Sequence, residues 1–185
     1  MQIYDYVDVH VGVLERMYHK RLKGYAAEGY KIKAQHQKNE EVNVLYTYQD
    51  YFHQLINDIN ASKKSIIISS PIMQKKKVKA LEELLQQTFK RGVRVILVTK
   101  SIDQYKEINR YWMKECVKKL SDSGLIVIFN NDIHQKFAVL DDEIIWYGSL
   151  SLLGYHSEED TIMRLENSEI ANELLGIIET GGKVE

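Results

Sequence analysis

Cysteine and proline are almost missing from this 185-residue chain, which carries one of each, Cys116 and Pro71. A lone thiol excludes a disulfide framework and a multi-thiolate zinc site. Ten glycines and a single proline exclude collagen-like and proline-rich classes. Long apolar runs are also missing: the longest, Leu125–Phe129, falls far short of the ~18 residues that span a bilayer. The opening Met-Gln-Ile-Tyr-Asp has no signal-peptide character. These absences lead us to expect a soluble protein of a reducing, cytoplasmic compartment without membrane contact.

What is present is ordinary globular material, 44% hydrophobic and 28% charged, enough for one domain with a short appendage. The formal net charge of −1 conceals segregation. Residues 10–38 hold seven Lys/Arg against two acids, and residues 63–119 hold fifteen against five. Residues 141–185 reverse this, with two against eleven. Basic stretches of this kind suit phosphate-bearing partners, although solvated helix faces carry such runs as well.

Short β-like runs alternate with helical ones. Strands are expected at Val42–Tyr46, Ser65–Ser69, Val93–Thr99 and Leu125–Asn130. Helices are expected at Tyr48–Asn60, at Lys76–Lys90 and over 104–121, the last with Ile108, Trp112 and Leu120 on one stripe. This order implies parallel strands with helical crossovers. His134–Leu140 and Glu143–Tyr147 are then separated by only Asp141-Asp142, so they form a hairpin. The expected fold class is therefore α/β, a mixed sheet flanked by helices. Thr161–Leu165 could add a last strand, and Ser168 is the expected N-cap of a final helix bearing Ile170, Leu174, Ile177 and Ile178. A boundary near Asn39 separates an N-terminal helical appendage, 1–38, from the main domain, 39–185. The appendage is expected to hold a strand at Ile3–Val9, a helix near 11–27 and a basic connector, Lys31–Lys38.

The chemistry concentrates in His134-Gln135-Lys136, then Asp141, then Gly148-Ser149. On a strand, residues two apart share a face, so His134 and Lys136 point the same way. A turn on Asp141-Asp142 alone sets Ser149 opposite His134, whereas a three-residue loop sets Lys136 opposite Gly148 with Ser149 adjacent. Either register gathers an imidazole, an ammonium and a hydroxyl at one end of a hairpin, and Gly148 leaves room for a ligand near the backbone. A neutral imidazole can attack phosphorus, while the ammonium and hydroxyl hold the non-bridging oxygens. Nothing in this set calls for a metal or other cofactor.

These residues resemble the H-x-K-(x)4-D-(x)6-G-S signature of the phospholipase D superfamily, matched at every fixed position, and the strand–helix order from Val42 to Ile178 is similar to that family's domain. The resemblance implies a phosphodiesterase in which His134 is the nucleophile or general acid. It gives Lys136 and Ser149 to phosphate and makes Asp141 a supporting carboxylate near the turn. Glu159 is the closest match to a downstream acid that orients the histidine, with Glu158 as its rival. The family has Asn two positions after the serine, where this chain has Ser151, a shorter phosphate ligand. Family sites combine two motifs and this chain has one, which implies a homodimer or an inert half-site. Single-motif members are mostly nucleases.

A second resemblance lies in Ile3–Asp8, Leu14–Tyr18 and Lys20–Lys23, which are similar to the segment closing the motor core of certain superfamily II DNA helicases. It implies a helicase motor as a possible partner. Lys75, Lys76, Lys77 and Lys79 could contact phosphates or simply be solvated. Tyr46, Tyr48 and Tyr51 could stack on bases or fill the core, and His156 is more ordinary as a loop residue. Ser69-Ser70-Pro71 ends a central strand, where ligands gather. Three functions follow for testing: a nucleic-acid phosphodiesterase, a non-catalytic nucleic-acid-binding module on the same fold, and a phospholipase or phosphatidyltransferase.

Overall fold

A computed structural model describes residues 20–21, 23–25, 27–29, 43–179 and 183–184. The chain divides into two compact units, 1–44 and 45–185. In the first unit, the strand expected at 3–9, the connector 31–38 and most of the helicase-like residues lie outside the described ones. Residues 20, 21, 23–25 and 27, within the helix expected near 11–27, are helical.

The second unit is built on Ser65–Ser69 (β2), whose Ser-Ile-Ile-Ile-Ser run is buried on both faces. Ile66 and Ile68 join one core and Ile67 the other, as the two-residue period of a strand requires. Two parallel strands follow it in the sheet, Arg94–Thr99 (β3) and Ile126–Phe129 (β4). On the other flank of β2 runs the antiparallel hairpin of Phe137–Leu140 (β5) and Ile144–Gly148 (β6). Thr161–Glu166 (β7) pairs antiparallel with β6, and Val44–Thr47 (β1) and Lys183–Val184 (β8) close the edges of the eight-stranded order β1-β7-β6-β5-β2-β3-β4-β8. The expected mixed α/β sheet is therefore present. β8, only two residues long, lacked any sequence signal.

Helices Tyr51–Ala61 (α1), Lys75–Lys90 (α2) and Glu107–Asp122 (α3) contribute to the larger core through Leu55 and Ile59, Val78 and Leu81, and Met113 and Leu120. Helix Ser168–Glu179 (α4) contributes Ala171, Leu174 and Ile178 to the opposite core, with Phe137 and Val139 of β5. Two expected stripes are corrected. In α3 the buried residues are Met113 and Leu120, and Ile108 stands 87% exposed. In α4 the buried stripe runs through Ala171, while Ile170 and Ile177 face outward. The N-cap also shifts: Asn167, not Ser168, accepts the Glu169 and Ile170 amides, at 2.9 and 3.0 Å.

The hairpin corrects a third expectation. β5 begins at Phe137, not His134, because its partner β2 ends at Ser69, which pairs with Phe137. Leu140 pairs with Ile144, so the loop is the three-residue alternative, Asp141–Glu143. Asp141 and Asp142 both take left-handed backbone, φ 54° and 62°, which short polar side chains tolerate.

Candidate active site

His134, Gln135 and Lys136 form the lead-in to β5, beside the carboxyl ends of β2 and β3. One long hydrogen bond extends the ladder past the strand: the Gly148 amide donates to the Lys136 carbonyl at 3.4 Å. Lys136 therefore lies opposite Gly148, with Ser149 next to it. Beneath the motif, the buried Ser69 hydroxyl donates to the Gln135 carbonyl at 2.7 Å and fixes the residue between the imidazole and the ammonium.

The Lys136 ammonium donates to the Ser149 carbonyl at 2.7 Å, leaving two of its three protons for a ligand. The Ser149 hydroxyl accepts the Thr161 amide at 3.1 Å, tying the site to β7. Gly148 is needed for this approach, since a Cβ there would sit 2.3 Å from the Thr161 carbonyl oxygen. The space expected for a ligand is taken by the backbone of β7. His134 is exposed, and among the described residues nothing hydrogen-bonds its ring.

The carboxylate brought to this group is Asp160 rather than Glu159. Residues 157–160 close a turn in which the Ser157 amide and hydroxyl both donate to Asp160. That turn directs Asp160 inward and leaves Glu159 and Glu158 exposed. The Ser157 amide, then the Ser149 hydroxyl, hold the Asp160 carboxyl below the usual carboxylate range, with the Lys136 charge assisting. Glu159 makes no hydrogen bond or ion pair with His134, so the expected orienting contact is absent among the described residues.

Asp141 lies at the far end of the hairpin. Its carboxylate accepts the amides of Lys63, Lys64 and Ser65 at 2.7–3.1 Å. Partial burial works to raise its pKa, but these amides, led by Lys64, outweigh it and hold the carboxyl below its ordinary value. Four strand residues separate it from Lys136, so its work is to fasten the hairpin turn to the start of β2.

Ser151 is buried, with its hydroxyl 2.9 Å from that of Ser70. Ser70 also lies 3.2 Å from the Ile72 carbonyl, and either serine can supply the proton between the two hydroxyls, so Ser151 is held in a buried chain of polar groups. It nevertheless lines, with Lys136 and Pro71, a cleft of about 510 Å³ at the strand ends. The strand-end position expected for Pro71 is the observed one.

Other candidates fall away from the site. Tyr51 is buried in the core, Tyr46 packs against Trp146 with centroids 5.2 Å apart, and His156 lies 6.0 Å from the Tyr48 ring. Lys77 lies 3.4 Å from the Tyr51 hydroxyl, and burial first, then Lys76, lowers its pKa. Sequence reasoning placed Ser69, Ser70 and Pro71 at the site mouth but missed Asp160, whose carboxylate accepts the Ser157 amide three residues earlier.

Residues 55–180 match the family described as cardiolipin synthase, PLD-like domain. A search of curated proteins found no match. Among solved structures, the chain is similar to Nuc from Salmonella typhimurium, a phospholipase D family member, at TM-score 0.59 and 15% identity, covering 77% of this chain and 98% of that one. NucT from Helicobacter pylori is similar at TM-score 0.59 and 14% identity, with the same coverage. TrmBL2, an archaeal chromatin protein whose structure shows a novel mode of DNA binding, is similar at TM-score 0.54 and 10% identity, covering 88% of this chain and 58% of that one. These likenesses concern the fold. Among the described residues no helix is long and apolar enough to cross a membrane. The intact His134–Ser149 motif, the sheet order and the match over residues 55–180 lead to one conclusion: the chain belongs to the phospholipase D superfamily.

Proposed function

We propose that the domain is a metal-independent phosphodiesterase acting on nucleic acid, DNA in the first instance, through a phosphohistidine in a site shared by two copies of the chain. The observation that carries this reading is the gathering of Lys136, Ser149 and Asp160 two residues along the chain from an exposed His134, with Lys136 also lining the cleft. The His134 imidazole nitrogen attacks phosphorus, forming an N–P bond as the P–O bond to the leaving nucleoside breaks. The second copy's imidazolium gives its proton to the departing oxygen. It then takes a proton from water, whose oxygen breaks the N–P bond and restores the first ring. Lys136 holds the non-bridging oxygens with its two remaining protons throughout, beside Ser149.

Nucleic acid is favoured over lipid by the basic stretch 63–119 and by the cleft lining, which includes Lys106 and Lys136 and no carboxylate to receive a choline or ethanolamine cation. The structural likeness to Nuc, NucT and the DNA-binding TrmBL2 agrees with that choice. Helicase-like residues within 3–23 support a motor domain as partner. One observation favours a second reading, a nucleic-acid-binding module without turnover: Ser151 stands where the family has asparagine, and its hydroxyl is engaged with Ser70 at 2.9 Å.

The test is cleavage of a DNA oligonucleotide in EDTA. Turnover is expected to persist in chelator, to fall by about 1,000-fold or more in His134→Ala, and to yield a trappable phosphohistidine. Loss of activity in EDTA, or its survival in His134→Ala, defeats the catalytic reading. Salt-dependent binding without any turnover establishes the binding module instead.

A further inference from the structure

The cleft beside Lys136 has a composition that phosphate chemistry alone does not explain. Its floor is apolar, formed in part by Pro71 and Ile72. Tyr105 contributes a fixed ring, because its hydroxyl accepts the Met73 amide at 3.0 Å and lies 2.7 Å from the Thr99 hydroxyl. Asn109 and Gln104 add amides to the lining, the Gln104 nitrogen already donating to Asp103 at 2.9 Å, and Lys106 adds a second cation.

Tyr155, 70% exposed, on the loop between β6 and β7, also lines the cleft. This ring stands on an anchored base. Leu152 and Leu153 are buried, and the Leu153 carbonyl accepts the Gln74 amide at 2.7 Å. Gly154 packs so closely that a Cβ there would lie 2.4 Å from the Ile72 carbonyl oxygen and 2.5 Å from the Ser151 hydroxyl. The loop thus holds a large apolar ring in water beside a phosphate-binding lysine, an arrangement that favours a flat ligand able to cover it.

We infer that the cleft between Tyr155 and the Gln104–Asn109 segment seats the unpaired nucleobase next to the phosphodiester held by Lys136. The base stacks on Tyr155, its polar edge meets the Gln104 and Asn109 amides, and Lys106 faces the neighbouring phosphate. The cleft's volume of about 510 Å³ lies in the range of small-ligand sites. Its lining holds two cations, Lys106 and Lys136, and no carboxylate of its own, with Asp160 beside Lys136 and Asp103 bonded to Gln104 at 2.9 Å as its acidic neighbours. Tyr155, Gln104 and Asn109 become specificity-determining residues of a site whose chemistry lies at His134. This inference rests on the nucleic-acid reading given above but not on turnover.

The experiment compares a single-stranded oligonucleotide with one of equal length carrying abasic residues, by fluorescence anisotropy on His134→Ala and by cleavage on the native sequence. The base-bearing strand should bind about 10-fold more tightly, the stacking of one base. Tyr155→Ala should bring that ratio close to one, Tyr155→Phe should retain it, and Asn109→Ala should reduce it for some bases more than others. Equal binding of the two strands, an unchanged ratio in Tyr155→Ala, or equal competition by phosphatidylglycerol vesicles overturns the proposal. Cleavage without base dependence removes the nucleobase seat and leaves the phosphodiesterase. Base-dependent binding without cleavage keeps the seat and removes the catalytic reading.

Discussion

Single residues decide what the site can do. Asp160 and Glu159 are adjacent, yet only Asp160 reaches Ser149 and feels Lys136. Asp160→Asn should lower kcat/KM on a diester substrate by 10-fold or more, and Glu159→Gln by less than about twofold. The Ser157 amide, then the Ser149 hydroxyl, depress the Asp160 pKa, so its carboxylate stays ionised as pH falls through the ordinary carboxylate range. Asp141 acts on stability instead. Its folded pKa lies below the unfolded one, so its contribution is complete above the unfolded value near 3.9 and is lost as pH falls through the folded value. Asp141→Asn, which keeps the shape and the left-handed turn, should cost about 1–2 kcal/mol at neutral pH, a figure reduced for solvent screening. In urea titrations the gap between the two proteins should close as pH drops below about 4. The meeting of Lys136 and Ser149 was legible in the sequence because a short turn fixes the hairpin register, whereas His134 precedes β5, where strand alternation no longer sets its direction. Asp160 was not legible, because a four-residue turn reverses the facing of neighbours without leaving a periodic trace.

Elements are held in place by one buried polar group of unusual weight. Asp58 on α1 accepts the Trp146 indole N–H of β6 at 2.9 Å and the Arg164 guanidinium of β7 at 2.8 and 3.2 Å. Arg164 also pairs with Glu166 at 2.7 Å. Burial disfavours the Arg164 charge, but Asp58 and Glu166 overcome it and raise its pKa above the usual value. Asp58→Ala leaves that cation and the indole without their partner, and should destabilise the fold by about 3–5 kcal/mol in urea unfolding. The combined change of Asp58 and Arg164 to apolar residues should recover part of the loss, since no buried charge is then stranded. The central elements were legible from short β-branched runs and from the Pro and Gly that end them, and β2 falls on its expected residues, 65–69. The α3 stripe holds at Trp112, Cys116, Val117 and Leu120, which face the core, and fails only at Ile108 in the first turn of a helix that starts at Glu107 after a 3₁₀ turn at Ile102–Gln104. The hairpin start was misread because strand length depends on where β2 stops, a fact carried about 70 residues earlier in the chain.

At the scale of the whole molecule, one motif per chain makes the proposed site a shared one. Specific activity on DNA should therefore fall as the protein is diluted through its dimer dissociation range, measured beside sedimentation at the same concentrations. Activity that tracks concentration linearly in a strictly monomeric protein would contradict the shared site. The sheet order carries a further consequence. β5 lies between β2 and β6, so the strand leading out of the imidazole–ammonium pair is clamped by a segment made far earlier and another made just after it. On a ribosome, β2, β3 and β4 can pair before β5 has emerged, and the reactive end then has no floor. The Lys136–Ser149 pair therefore forms only once β6 has been delivered, and its tie to Thr161 only once β7 has.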